Sequence, residues 1–253
     1  MRIRAVVVAV TLAIAATACS NGTGLFRQYE YEEEVYLSLD GKATVYVNAS
    51  IPALNALRGA SFDTSPNAPV DRAAVRQLFS SPVARISGPV NFSRRSNRRF
   101  VHVKLDVDDV RRLGEAAPFA WSRYAFTREG DQYLYSQTVG PAVNKDVGNV
   151  GWNGRELLAF RLHLPSKIRY SNNGRPTERG NIVVWEQPLA DRLRGTPITQ
   201  PKGRLDARMD TESILYTTLW LFGWTFVAVA ISFALVIWWI FRRAPVATPE
   251  ATH

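Results

Sequence analysis

The stretch that decides the fold reads YEEEVYLSLDGKATVYVN, residues 31–48. Val35, Leu37 and Leu39 alternate with Glu32, Glu34, Tyr36 and Ser38. After Asp40-Gly41, Ala43, Val45 and Val47 alternate with Thr44, Tyr46 and Asn48. A period of two belongs to a half-buried strand. Asp-Gly between two such runs predicts a hairpin closed by a type I′ turn, which requires positive φ at both central residues. Glu32-Glu33-Glu34 reads as a solvated acidic edge strand. Adjacent strand residues point to opposite faces, so these carboxylates do not converge as an acid/base pair.

Outward from this hairpin, Ser50 is placed to cap a short helix, Ile51 to Arg58, that stops at Gly59. Ser61 to Pro69 is a polar loop, and Asp71 caps a second helix with Ala74, Val75, Leu78 and Phe79 on its apolar side. Val83 to Arg95, interrupted by Gly88-Pro89, and Arg99 to Val107 form a second hairpin turning at Ser96-Asn97. Asp108 or Asp109 opens a third helix. Ala120 to Arg128 and Gln132 to Val139 make a third hairpin around Gly130-Asp131. A Gly-rich irregular stretch, 140–154, precedes strands at Glu156 to Leu164 and Ile182 to Glu186 and a closing helical turn at Pro188 to Arg194. The pattern predicts an α+β domain over residues 26–195, an antiparallel sheet built from hairpins with a few short helices on one face. Residues 196–213 read as a linker.

The two ends point to a membrane. Residues 1–18 have the layout of an export signal: Arg2 and Arg4, an apolar run, then Ala16-Thr17-Ala18. Cys19, the only cysteine, follows at the position of a lipobox cysteine, so residues 19–25 read as a lipidated tether; ordinary cleavage at the same bond is the alternative. Ile214 to Phe241 carries no charge and exceeds the ~20 residues that span hydrocarbon. Trp220 and Trp224 near its start, with Trp238 and Trp239 near its end, are distributed as interfacial anchors. Arg242 and Arg243 place the tail, 242–253, in the cytoplasm by the positive-inside rule, and the domain outside.

A single cysteine excludes a disulfide framework and a Cys-based zinc site. With 46% hydrophobic and 21% charged residues the chain is not disordered. Nothing resembles a Gly-x-Ser-x-Gly elbow, a His-Glu-x-x-His helix or a phosphate-binding loop. His102 and His163 fall on the polar alternates of their strands and read as solvent-facing, so no catalytic set, metal site or cofactor is expected. Arg94-Arg95-Ser96-Asn97-Arg98-Arg99 gathers four guanidinium groups at one hairpin tip, and no acid lies between Asp71 and Asp106 to neutralise them. Guanidinium forks suit phosphate and carboxylate, so Arg94, Arg95, Arg98 and Arg99 are the candidate contacts for an anionic lipid, an anionic glycan or an acidic partner. A solvated loop in an arginine-rich chain is the alternative.

Arg161-Leu-His-Leu-Pro165-Ser-Lys167, the Asn172-Asn-Gly174 turn and Asn181-Ile-Val-Val-Trp185 resemble the LppM-like family of exported bacterial lipoproteins. That family tends to show a strand ending in Phe-Pro-Gly-Lys, an Asn-Gly turn and Asn-x-Val-x-Trp. Ser166 departs from its glycine. The Asp40-Gly41 hairpin and a lipobox cysteine followed by a domain and one membrane helix are also similar to it. The resemblance spans about residues 26–195 and implies an α+β ectodomain with a lipid- or glycolipid-binding role and no defined enzymatic activity; no site residue carries over from it.

The resulting expectation is a non-enzymatic, membrane-anchored envelope lipoprotein that binds an anionic lipid or glycolipid. The alternatives are an assembly protein docking an envelope partner and an envelope hydrolase using carboxylates. Setting aside Arg2, Arg4, Arg242, Arg243 and Glu250 lowers the formal charge from +9 to +6. The excluded arginines are topology signals, so export rather than charge argues against nucleic acid as partner.

Overall fold

The opening hairpin forms, but with a different turn. Strand β1 (Tyr29–Leu37) pairs antiparallel with β2 (Ala43–Ser50), Leu37 opposite Ala43 and Tyr31 opposite Ala49. The amide of Gly41 donates to the Ser38 carbonyl at 3.1 Å and that of Ser38 to the Lys42 carbonyl at 2.9 Å. Gly41 has φ +87°, whereas Asp40 is not among the positive-φ residues. This is the longer hairpin loop in which a single left-handed glycine closes the turn, rather than type I′. The computed structural model describes residues 27–69, 71–172, 175–176, 180–200, 202–212 and 214–243. The stretch expected to be an export signal, Cys19 and the tail from residue 244 lie outside the described residues.

Local capping chemistry acts where the sequence places it. Helix α1 (Ile51–Arg58) starts where Ser50 Oγ accepts from the Ala53 amide at 3.1 Å and ends at left-handed Gly59. Helix α2 (Arg72–Phe79) is capped by Asp71, which accepts from the Ala74 amide at 2.8 Å. Strands β3 (Ala84–Ile86) and β4 (Asn91–Arg95) follow each other along one edge of β5 (Arg98–Val107). The expected third helix is instead two 3₁₀ turns, Val110–Glu115 and Ala117–Phe119. Pro118 lacks an amide and tolerates only a first-turn position, so it prevents a longer α-helix here.

Strands β6 (Ser122–Glu129), β7 (Gln132–Val139), β8 (Leu157–His163), β9 (Ile168–Ser171), β10 (Arg175–Pro176) and β11 (Ile182–Pro188), helix α3 (Leu189–Leu193) and strand β12 (Arg204–Asp210) complete the domain. They make two sheets where one was expected. The larger has the order β10-β11-β8-β1-β2-β5-β3, with β4 also on β5, and the smaller has the order β6-β7-β12-β9. The architecture is α+β, and β1 runs parallel to β8, so the large sheet is mixed.

Two expectations are corrected here. The stretch read as a linker contains β12, which lies between β7 and β9 and buries Leu205, Ala207 and Met209. Its alternation is short and flanked by Pro201 and Gly203, and only the small sheet gives it partners. The second correction concerns the acidic strand. β1 is central, flanked by β2 and β8, and Glu33 is fully buried on the same face as Tyr31, Val35 and Leu37. Its carboxylate accepts from Tyr124 Oη (2.7 Å), Gln137 Nε2 (2.9 Å), Arg58 Nη2 (3.1 Å) and Tyr31 Oη (3.1 Å). Because Tyr124 and Gln137 belong to the small sheet, Glu33 is a polar joint between the sheets. Burial, then the Glu33 charge, pushes the Tyr124 phenol well above its ordinary value, so it remains a hydrogen donor. The Arg58 guanidinium lies 3.1 Å over the Trp121 ring, which shields the joint from water.

Helix α4 (Ile214–Arg243) includes 25 residues, Thr218–Arg242, long and apolar enough to cross a membrane. Its large apolar side chains are exposed over the whole length, as the core helix of a soluble protein would not leave them.

Candidate functional site

The loop after α1 is short of regular structure, yet it is tied down at three places. Asn55 on α1 grips Phe62 from both sides: its Nδ2 donates to the Phe62 carbonyl at 2.7 Å, and its Oδ1 accepts from the Phe62 amide at 3.1 Å. Asp63 Oδ1 accepts from the Ser65 amide at 2.8 Å, an Asx turn. Arg99, on β5, then serves the loop's carbonyls. Its Nε donates to Ser65 O (3.1 Å), its Nη1 to Pro69 O (3.1 Å) and its Nη2 to Asp63 O. A guanidinium offers five donors in a rigid fork, and here three of the loop's carbonyls are bonded to it.

The loop so held walls an open groove of about 590 Å³. α2 supplies the facing wall through Ala74, Val75 and Leu78, while Ile51, Phe62 and Phe92 line the remainder. The volume falls within the roughly 300–1,000 Å³ of small-molecule pockets, and the lining is mostly apolar with a few polar groups at the margin, as such pockets are. Asp63, Asp71 and Arg99 are the charged residues lining it. Arg99 is committed to its carbonyls and Asp71 to its helix cap. Arg72 is exposed, and its guanidinium lies 5.5 Å over the ring of the groove-lining Phe92. Among the described residues no group of three or more His, Cys, Asp or Glu is placed to hold a metal ion.

The four arginines of the hairpin tip do not converge on one ligand. Ser96 and Asn97 both have positive φ, 49° and 56°, which makes the tight turn that sets Arg95 opposite Arg98 and Arg94 opposite Arg99. Strand alternation then sends the two pairs to opposite faces. Arg94 and Arg99 take the loop side, with Arg94 donating to the Pro66 carbonyl and, at 3.1 Å, to Asn67 Oδ1. Arg95 and Arg98 take the other side, with Arg95 donating to the Tyr29 carbonyl and stacking 4.5 Å over Phe100.

Arg98 is buried. It pairs with Glu30 at 2.9 Å, donates to the carbonyls of Gly151 (2.9 Å) and Val150 (3.3 Å) and lies 3.7 Å from Glu156. β2 leaves the sheet at Ser50, so residues preceding Tyr31 and Phe100 have no β2 strand between them, and Arg98 bridges that gap to Glu30. The expected four-arginine contact surface is thus a clamp of the hairpin onto neighbouring chain. Arg94 and Arg95 alone are exposed.

On α4, Trp220, Trp224, Trp238, Trp239 and Arg242 are exposed; Tyr216, Trp220 and Trp224 follow one another with ring centroids 6.5 and 6.0 Å apart, and Arg242 lies 5.0 Å over Trp238. Arg243 is the last residue of the helix. The two strand histidines are less open than expected. His163 stacks on Tyr36 at 3.9 Å and bonds Glu34, and His102 sits between Ser93 and Asn48. The sequence showed Leu78 on the apolar side of its helix but gave no sign that Phe62 and Phe92 meet it. Phe62 is placed by its two bonds to Asn55, and Phe92 by the pairing of β4 with β5.

No protein-family model matches the chain, and no curated protein matches it. Among solved structures it is similar to the NMR structure of the Mycobacterium tuberculosis LppM protein folded domain, at 11% identity and a TM-score of 0.39, over 74% of this chain and 94% of that one. A likeness of this size assigns neither a family nor a ligand.

Proposed function

We propose that this is a membrane-anchored bacterial cell-envelope protein whose extracytoplasmic domain takes the acyl portion of an anionic lipid or glycolipid into the groove between α2 and the Arg99-held loop. The carrying observation is the groove itself, about 590 Å³ and lined by Ile51, Phe62, Val75, Leu78 and Phe92. Arg72, exposed over the Phe92 ring, is the cation available to an anionic head group, because Arg99 is already bonded to backbone. Helix α4 supports a location beside lipid, and Arg242 and Arg243 after the apolar run orient the C-terminus to the cytoplasm. Acylation of Cys19 would add a second tether, read by intact mass of the mature chain.

The test uses the full chain in nanodiscs of zwitterionic lipid doped with phosphatidylglycerol carrying a diazirine on its acyl chain. Photo-adducts are expected on peptides containing Phe62, Leu78 or Phe92. Filling the groove with Ala74→Trp should remove them, and Arg72→Glu should weaken them for the anionic lipid but not for a zwitterionic one. Adducts confined to α4 would overturn the proposal.

A further inference from the structure

The outward face of the large sheet carries a chain of hydrogen bonds that draws one residue from each of five neighbouring strands. The register sets Glu32 of β1 opposite Asn48 of β2, and Asn48 opposite His102 of β5. Ser93 of β4 lies diagonally across from His102, whose direct partner is Asn91. Arg161 Nη2 of β8 donates to Glu32 Oε1 at 2.7 Å, and Asn48 Nδ2 donates to Glu32 Oε2 at 3.3 Å. Asn48 Oδ1 lies 2.9 Å from His102 Nδ1, and His102 Nε2 lies 2.7 Å from Ser93 Oγ.

The chemistry of these groups fixes every proton in the chain. Glu32, held by Arg161, is an ionised carboxylate and only accepts, so Asn48 turns its NH₂ toward it. Asn48 therefore presents its oxygen to His102, which places the imidazole proton on Nδ1. Nε2 is left with its lone pair, and the Ser93 hydroxyl donates to it. Burial, then the Arg95 charge, holds the His102 imidazole below its ordinary value, so the neutral tautomer prevails near pH 7.

The end of the chain is accessible. Ser93 is exposed, and Ser93, His102 and Asn48 line a pocket of about 250 Å³ together with Tyr29, Glu32, Arg95 and Phe100. A ladder built for stability alone would gain little from its outermost member, since water replaces an exposed partner at almost no cost. In a two-residue hairpin the Arg95/Arg98 pair is hydrogen-bonded, and the alternation points the Arg94 amide away from β5. No described strand pairs with that edge of β4. The amide following Ser93 is thus available to a developing oxyanion, and Arg95, whose guanidinium is bonded to the Tyr29 carbonyl, is among the residues lining the same pocket.

From this juxtaposition we infer that Ser93, His102 and Asn48 form a nucleophile, a general base and its positioning residue for acyl transfer from esters with a short acyl group. Ser93 Oγ forms a bond to the ester carbonyl carbon while its proton passes to His102 Nε2. The C–O bond to the leaving alcohol then breaks, and His102 returns the proton to that oxygen. Water, deprotonated by His102, attacks the acyl-serine; its C–Oγ bond breaks and Ser93 recovers the proton, releasing a carboxylic acid. Asn48 touches no reacting atom. This activity is independent of the apolar groove, because Phe92 and Ser93 are successive residues of β4 and face opposite sides of the sheet.

The test treats the full chain in detergent micelles with a fluorophosphonate, followed by peptide mapping, and measures 4-nitrophenyl acetate hydrolysis. An adduct at Ser93 is expected. Ser93→Ala and His102→Gln should each lower the esterase rate by about 10²-fold or more, with circular dichroism and melting unchanged. The wild-type labelling rate should rise with pH through one midpoint below 6.5 and then level, following loss of the His102 proton. Asn48→Asp should retain labelling but move that midpoint upward, since it adds an anion beside His102. The midpoint reflects Glu32, with its Arg161, and Tyr29 from one side, Arg95 from β4 and Lys104 on the histidine's own strand. Absence of a Ser93 adduct, equal labelling in folded His102→Gln, or a wild-type rate that climbs in proportion to hydroxide with no midpoint would overturn the inference. The profile of the unmutated chain decides the matter even if a variant misfolds, and none of these readouts depends on lipid entering the groove.

Discussion

Replacing Arg98 by alanine separates a clamp from a ligand contact. The side chain is 4% exposed and its partner Glu30 is fully buried. Truncation removes three donor contacts to the Glu30 carboxylate, at 2.9, 3.1 and 3.2 Å, and two to the carbonyls of Val150 and Gly151. Among the described residues it leaves Glu30 the longer hydrogen bonds from Gln28 and Trp152, both 3.3 Å. Removing one partner of a buried ion pair costs about 3–5 kcal/mol because the other charge stays buried. With a urea m value of about 2.5 kcal/mol/M, this corresponds to a midpoint shift of roughly 1–2 M.

Arg94→Ala serves as the control. Its side chain is exposed, and such substitutions usually change stability by less than about 0.5 kcal/mol. The assay is urea unfolding of the full chain in micelles, followed by near-UV circular dichroism of the domain. The double variant Glu30→Gln/Arg98→Met should recover much of the loss, since it removes the stranded charge together with its partner. Equal midpoints for Arg98→Ala and wild type, or equal losses for Arg98→Ala and Arg94→Ala, would refute the reasoning.

Gly203→Ala should destabilise the domain by about 1–3 kcal/mol, because the residue has φ +68° and an added Cβ would sit 2.8 Å from the Val139 carbonyl; hydrogen exchange should show the loss along β7 and β12, and unchanged protection there would return 196–213 to the role of linker. At Glu34, burial acts to raise the carboxyl pKa, but the His163 hydrogen bond and the charges of His163 and Arg161 outweigh it and hold the group below its ordinary 4.5. A depressed carboxylate contributes stability that is present above pH 4.5 and lost as pH falls through its lower folded value, so the stability gap between wild type and Glu34→Gln should shrink as acid titration passes below pH 4.5.

How far the sequence was legible depended on how local the cause was. Ser50 and Gly59 mark α1 because a hydroxyl cap and a left-handed glycine act within four residues. Asp71 does the same for α2. Hairpin positions followed from alternation, but turn geometry did not, since Asp40-Gly41 admits more than one loop and Ser96-Asn97 takes the doubly left-handed one without a glycine. β12 is not legible in the sequence, because three alternating apolar residues suffice for a strand only between partners. The pleat puts Glu33 with Val35, yet a carboxylate on a core face is tolerable only if donors reach it from elsewhere. Those donors are Tyr124 and Gln137, about a hundred residues along the chain.

Arginine shows the same division most sharply. Two pairs flanking a turn were visible in the sequence, and so was their suitability for oxyanions. Whether the oxyanions belonged to a ligand or to the protein's own carboxylates and carbonyls was not visible, because Glu30 and the carbonyls of Asp63, Ser65 and Pro69 are nearby only after the sheet and loop have formed. By itself the sequence determined helices α1 and α2, most strands, the α+β class and an apolar segment long enough to cross a membrane, all set by periodicity and short-range hydrogen bonding. The tertiary structure alone decided which charges are buried, which loop walls a groove and that Ser93, His102 and Asn48 touch. These follow from strand order and register, which join residues distant in the chain and leave no periodic trace in it.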